Sequence, residues 1–404
     1  MSLINEFRQD LVSGEWVLFA TGRAKRPSAD VAPRVKPDLS QCPFEDPEAS
    51  GNEVLVTYLP DPDIDVTVDA QGQETGNQGR NSGVAISALG KEVSGNKVTN
   101  LNSDIANQKL NQSWQSDYQK AVDGGTDFNK GAISAPGRWF AKVAKNKFPA
   151  VAEGEAGPRQ AVGPFLITEA RGLHELIIYR DHERQLHEYS VTELGQVLAI
   201  YQARYRAMAD YAASRYILIF HNKGLSAGAS QAHPHSQIIS IPILPPDVKR
   251  SIFGSESYYK QNGKRVYDVM IDWETKEGKR IVQQTDNFIA FCPFVSKTPY
   301  EVRIFSKQSH AHFEQCPAEL LPELGGVIKT VLQAIEQKLN AADFNFFIHT
   351  APVERSGSTN PHDYYSWHIE ILPKMKMEGA FELGSGVEVN VVDPDQAAQI
   401  LRGE

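Results

Sequence analysis

The chain has 404 residues, 41% of them hydrophobic and 23% charged, so it is long enough for two or three ordinary domains and can bury a sizeable core. Its 41 Lys and Arg against 50 Asp and Glu leave a net charge of -9; this argues against nucleic acid as a partner, which needs a broad basic face, but allows a small anion held by local positives. Three cysteines, odd in number and far apart, argue against a disulfide framework, and neither the opening MSLINEFRQDLVSGEWVLFA nor any later stretch carries the apolar run of a leader or a membrane span, so the expectation is a cytoplasmic protein with no membrane segment.

In chain order, EWVLFAT (15–21) reads as a strand and runs into a basic turn, GRAKRP (22–27). From 62 to 136 the composition shifts to Asn, Gln, Gly and Ser with little apolar periodicity, which reads as a long insertion. Order resumes at GRWFAKVAKNKFPAV (137–151). A strand, HELIIYR (174–180), is followed by a helix over 191–213. The helix rests on Thr192 as N-cap and on Leu194, Val197, Leu198, Tyr201 and Tyr205 at helical spacing. A second strand, RYILIFHNKG (215–224), leads through LSAGAS to AHPHSQIIS.

The second half retraces that order. NFIAFCPF (287–294), YEVRIFS (300–306), a helix over 317–339, NFFIHTAP (345–352) and SWHIEILPK (366–374) read as strand, strand, helix, strand, strand. Glu175–Leu194 aligns on Glu301–Leu320 without a gap, and SQIISIP on WHIEILP. The simplest reading is a duplicated α+β unit, divided at 1–245 and 246–404. Where the first copy has His233 and His235, the second has Tyr364 and Ser366, which places the chemistry in the first half.

In a strand His233, His235 and Gln237 fall on one face. A His-x-His pair is commonly a metal pair, and on spacing alone that reading comes first. The preceding NKGLSAGAS lacks the Gly-Lys-Ser/Thr ending of a Walker loop. Its Gly224, Gly228 and small neighbours nevertheless let backbone N–H groups approach a phosphate. Delivered next to an imidazole, such a nest suits nucleophilic phosphoryl chemistry, with a glutamine amide to meet charge on oxygen.

NKG…AGASQAHPHSQ resembles the galactose-1-phosphate uridylyltransferase family of the histidine-triad superfamily, including its ADP-sugar phosphorylase-like members. Gln237, where hydrolases of the superfamily have a third histidine, is similar to the transferase branch. The resemblance spans nearly the whole chain outside 62–136. It implies two histidine-triad-like units of mainly antiparallel sheet with helices packed on them. It also implies a nucleotidyl group carried on His235, with Gln237 steadying the phosphoryl oxygens. Asn222, Gly228 and Ser230 then match phosphate contacts, Arg23 and Arg26 the nucleotide, Asn146 and Phe148 the nucleoside pocket, and Phe381 and Glu382 a hexose-side segment that reaches across a homodimer. A structural zinc is implied at Cys42, Glu45, His182 and His233; Glu45 stands where the family has a second cysteine, so the alternative is an empty site with Cys42 a small buried residue. At the positions of a second metal site known in some members stand Ser309, His368 and Glu370, an incomplete set.

The implied reaction moves a nucleoside monophosphate between a nucleotide sugar and a sugar 1-phosphate, or to inorganic phosphate in a phosphorylase. A nucleotide-sugar-binding protein without catalysis, and a metal-dependent oxygenase built on the His pair, are the readings of other classes.

Overall fold

The computed structural model describes residues 5–21, 42–58, 86–87 (backbone only), 139–155, 157–353, 362–376 and 379–404. Most of the 62–136 insertion, and with it the expectation of a polar excursion there, lies outside the described residues, as do Arg23 and Arg26.

In chain order the strands are β1 (Glu6–Gln9), β2 (Trp16–Phe19), β3 (Val54–Tyr58), β4 (Ile86–Ser87), β5 (Ala141–Lys145), β6 (Gln160–Val162), β7 (Phe165–Ile167) and β8 (His174–Tyr179). Helix α1 (Val191–Ala209) separates β8 from β9 (Tyr216–Lys223) and β10 (His235–Ile241). Two helices, α2 (Pro246–Asn262) and α3 (Val266–Glu277), precede β11 (Ile281–Gln284), β12 (Phe288–Phe291) and β13 (Val302–Ser306). Then come α4 (Leu321–Lys338), β14 (Phe344–His349), β15 (His368–Pro373), α5 (Ala380–Ser385), β16 (Glu388–Asn390) and α6 (Pro394–Arg402).

The smaller of two compact units takes in the described residues of Pro43–Lys147 and Ile177–Arg180. Its β3 and β5 pair antiparallel, Tyr58 opposite Ala141, with an irregularity between Val54 and Val56. Ala141, Val143, Ala144, Ile177, Ile178 and Tyr179 are buried there. The larger unit holds the rest. In it β12, β13, β15, β14, β9 and β10 are neighbours in that order, every pair antiparallel. The expectation of mainly antiparallel sheet with helices on it is met. The sequence suggests one sheet per half; instead β14 pairs with β9, Phe346 opposite His221, and joins strands of both halves side by side. Each strand would otherwise present an unpaired row of N–H and C=O groups.

Apolar residues three and four apart bury one face of each long helix in the larger unit: Leu194, Val197, Leu198, Tyr201, Tyr205 and Met208 on α1, and Leu321, Leu324, Ile328, Val331, Leu332 and Ile335 on α4. Each such side chain contributes about 1.5–3 kcal/mol when fully buried. The two helices cross where both backbones are bare: a Cβ on Gly325 would lie 2.8 Å from Leu194 Cβ, and one on Gly195 3.2 Å from Pro322 Cα. The N-cap of α1 is Ser190 rather than Thr192. Its hydroxyl accepts from Glu193 N–H while the Glu193 carboxylate accepts from Ser190 N–H, a reciprocal box that Thr192, one turn in, cannot form. Helices α2 and α3 pack Val248, Ile252, Val266, Tyr267 and Ile271 with Ile289, Phe291 and Phe305 of the second-half strands.

Among the described residues no helix is long and apolar enough to cross a membrane.

Candidate functional site

Alternation along β10 separates two faces. Ser236, Ile238 and Ser240 are buried, whereas Gln237, Ile239 and Ile241 are half-buried. On β9, paired with it, His221 lies opposite Ser236 and Phe220 opposite Gln237. His221 and Ser236 therefore belong to the core face, and Asn222 and Gln237 to the open one.

The core face is wired by hydroxyls. Tyr201 of α1 is 2.6 Å from Ser236 Oγ, and His221 Nδ1 is 3.1 Å from the same atom. Burial drives the His221 imidazole down to about 3, so the ring is neutral at physiological pH. Arg204 of α1 forks onto the buried Glu175 of β8 at 2.7 and 2.8 Å. Ser240 N–H donates to Leu173 O at 2.8 Å, and Leu173 N–H to Ser240 Oγ at 2.9 Å, fixing the start of β8 beside β10. Of these partners the sequence reading names Tyr201, only as an apolar position of the helix, and Glu175, only as an end of the aligned repeat.

His235 opens β10 at the buried end of the open face, 6% exposed. Its Nδ1 is 2.9 Å from His233 O. A carbonyl only accepts, so Nδ1 carries the proton and Nε2 keeps its lone pair. Burial lowers its pKa, opposed by the bond to His233, and holds the ring in that neutral tautomer.

The loop before it is shaped by the second half of the chain. Gly224 has φ +85°, and a Cβ there would coincide with the Asp343 carboxylate, 1.9 Å from Oδ1. That carboxylate accepts from Ser226 N–H at 3.0 Å and from Ser226 Oγ at 2.7 Å. Gly228, also at positive φ, closes a single 3-10 turn, Leu225–Ala227. Gly228 and Ser230 are exposed. Asn345 of β14, opposite Asn222, donates Nδ2–H to Asn222 Oδ1 and to Ala227 O, both at 2.8 Å. With its oxygen held, the Asn222 amide nitrogen is left to donate elsewhere.

On the other side of His235, Gln237 Oε1 is 2.9 Å from His174 Nε2. The loop and the row thus bring Asn222, Gly228, His235 and Gln237 together in the larger unit. Phe148, 83% exposed, belongs to the larger unit and Asn146, half-buried, to the smaller. Phe381 and Glu382 lie on α5. Phe381 is 48% exposed, and the Glu382 carboxylate accepts from Gly379 N–H at 3.0 Å and faces Lys376. A cleft lined by Tyr259, Arg265, Asp268, Trp273 and Asp363 contains none of the predicted residues.

Cys42, His182 and His233 form the one cluster among the described residues whose ligand atoms gather as a metal would need, all within 4.8 Å of one another. Cys42 Sγ is 3.6 Å from His233 Nδ1, and His233 Nδ1 is 3.0 Å from His182 Nδ1. A tetrahedral zinc at about 2.0–2.1 Å from nitrogen and about 2.3 Å from sulfur puts S···N at about 3.6 Å and N···N at about 3.4 Å, so the trio fits that ion with a small outward shift of one ring. Glu45 is exposed and belongs to the smaller unit. Of the second-site positions, Ser309 hydrogen-bonds Asp268, while His368 and Glu370 face each other at 3.3 Å.

Residues 138–245 match the model of the galactose-1-phosphate uridyl transferase N-terminal domain. The chain is 30% identical over 273 residues to ADP-glucose phosphorylase of Arabidopsis thaliana, covering 65% of this chain and 74% of that protein. To galactose-1-phosphate uridylyltransferase of Thermotoga maritima it is 27% identical over 282 residues, 67% of this chain and 87% of the other. In fold it matches the crystal structure of an Arabidopsis thaliana ADP-glucose phosphorylase with bound ADP-glucose across 99% of both chains (TM-score 0.68, 23% identity). The family model spans the strands that carry the histidine row, and the chain belongs to the galactose-1-phosphate uridylyltransferase family, enzymes of the nucleotidyltransferase type.

Proposed function

We propose that the protein carries a nucleoside monophosphate on His235 and passes it from a nucleotide sugar to a second phosphate. The observation that carries this reading is the Nδ1–H···O bond from His235 to His233, which puts the lone pair of the neutral ring on Nε2. Nε2 attacks the α-phosphorus, a P–N bond forms, and the bond to the sugar-bearing phosphate breaks with its electron pair, releasing a sugar 1-phosphate. The same Nδ1–H···O bond then bears the positive charge that the ring acquires. An acceptor phosphate oxygen attacks in turn, the P–N bond breaks, and the lone pair returns to Nε2. Gln237 and Asn222, held by their oxygens, supply amide N–H groups for the non-bridging oxygens as charge builds. Gly228 and Ser230 border the phosphates, Arg23 and Arg26 approach the nucleotide, and Asn146 and Phe148 line its nucleoside end.

The acceptor is inorganic phosphate and the donor an ADP-sugar; the support is the 30% identity to a protein named ADP-glucose phosphorylase. A second reading, uridylyl exchange with a hexose 1-phosphate, is favoured by the longer coverage of the Thermotoga maritima relative. Zinc at Cys42, His182 and His233 would tie the histidine row to Cys42 within the larger unit, a structural part only. Phe381 and Glu382 serve the sugar end of a partner's site in a cytoplasmic homodimer; the exposure of α5, with Leu383 73% accessible, supports it.

The test crosses ADP- and UDP-sugars with inorganic phosphate and hexose 1-phosphates and reads the product nucleotide. ADP from ADP-glucose and phosphate is the expected product. Donor labelled at the α-phosphate should leave an acid-labile, base-stable adduct; an adduct that persists in His235→Ala overturns the assignment.

A further inference from the structure

We infer that His174 is a positioning residue: it sets which end of the Gln237 amide faces the reacting phosphate. The inference rests on the proposed part of Gln237 at that phosphate.

The argument begins two bonds away. Ala150 N–H donates to His174 Nδ1 at 3.2 Å. A backbone N–H is only a donor, so Nδ1 is an acceptor and, in the neutral ring, the proton sits on Nε2. Burial lowers the pKa of His174, partly offset by its bond to Gln237, so the neutral ring prevails at pH 7. Nε2 therefore donates, and the Gln237 atom 2.9 Å away has to be the oxygen. An amide whose oxygen and nitrogen would otherwise be interchangeable is thereby given one orientation by a backbone N–H on another segment. Its NH₂ end is turned from His174.

The clamp is anchored at both ends. Glu175, the next residue, is forked by Arg204, and Leu173 exchanges two hydrogen bonds with Ser240 three residues beyond Gln237. His174 cannot slide relative to Gln237 without breaking these. Asn345 does the same for Asn222 across the row. Both amides beside His235 are thus held by their oxygens, which suits a developing anion and not a cation.

An isosteric pair tests this, because glutamine and glutamate both put an atom where His174 has Nε2, one able to donate and the other only to accept. ADP-glucose with inorganic phosphate, and UDP-glucose with galactose 1-phosphate beside it, serve as substrates, with thermal unfolding as the check on folding. We expect Gln237→Ala to lower kcat about 100-fold and His174→Ala about 10- to 100-fold, each leaving KM within about threefold. His174→Gln should recover to within about threefold of the parent, and His174→Glu should not. The double variant should be no worse than Gln237→Ala alone. His174→Glu matching His174→Gln, or His174→Ala and Gln237→Ala multiplying, overturns the inference while leaving Gln237 its part. Gln237→Ala at full activity in both assays removes that part, and the inference with it.

Discussion

The start of β10 and the start of β15 use one local device to opposite ends. In the first, His235 donates Nδ1–H to the carbonyl two residues back, at 2.9 Å; in the second, His368 does the same to Ser366 O at 3.1 Å. Both bonds fix a ring by the same backbone reach. What differs is the other nitrogen. His368 Nε2 faces the Glu370 carboxylate at 3.3 Å; Glu370 pairs with Arg303 at 3.2 Å, and Arg303 with the fully buried Glu301. His349 stacks on the same ring, centroids 5.1 Å apart. The second site is closed on itself, its polar groups satisfying one another. In the first, neighbours hold each amide by one end only. The same backbone reach thus serves a ring beside two singly held amides in one place and a ring inside an ion-pair network in the other.

The sharpest break of this comparison is His235→Ala against His368→Ala. The first should reduce nucleotidyl transfer about 10⁴-fold or more, the second less than about tenfold, measured as initial rates on protein of equal thermal stability. Comparable losses would mean that both sites act. The buried ion pairs come next. Glu175→Ala removes the buried carboxylate that Arg204 forks and should cost about 3–5 kcal/mol in denaturant unfolding. A loss below about 1 kcal/mol would show that β8 is held otherwise.

Stability should also fall with acid. His221 and His349 are pushed by burial to about 3 and about 4, below the ordinary 6.5. The unfolded chain then binds protons that the folded rings refuse, so stability is full above about pH 6.5 and declines as pH falls toward 4 and then 3. Thermal melts should show the decline easing when His221→Phe is introduced, which removes one of the two groups. The smallest effect is expected at Tyr201→Phe. It leaves Ser236 with His221 as partner and should cost about 1 kcal/mol, whereas Ser236→Ala, which takes a bond from each neighbour, should cost more.

Much of this architecture is written in the chain. The strands 174–180 and 215–224 and the row from His235 fall within a residue or two of β8, β9 and β10, because alternation and β-branched runs are local signals. The start of α1 was legible too: Ser190-Val-Thr-Glu193 spells the box, and Thr192 is merely the second hydroxyl in it. Reading by repeat skips 246–280, where Pro246 in the first turn and Gly263 and Gly278 after the ends mark α2 and α3, helices with no copy in the first half. Cys42, His182 and His233 were chosen through a family likeness and meet in space. His174, Asn345 and Asp343 were not chosen at all. Their part depends on which atom donates to which across 63, 123 and 117 residues, and no spacing along the chain encodes that.

The fit of the Asp343 carboxylate into the space where Gly224 lacks a side chain has an evolutionary corollary. Asp343 and Asn345, from the second half of the chain, hold the loop ahead of His235, so neither can be lost or replaced piecemeal. Trimming the chain to residues 1–245 would remove both partners of that loop, which ties the two halves of the sequence together.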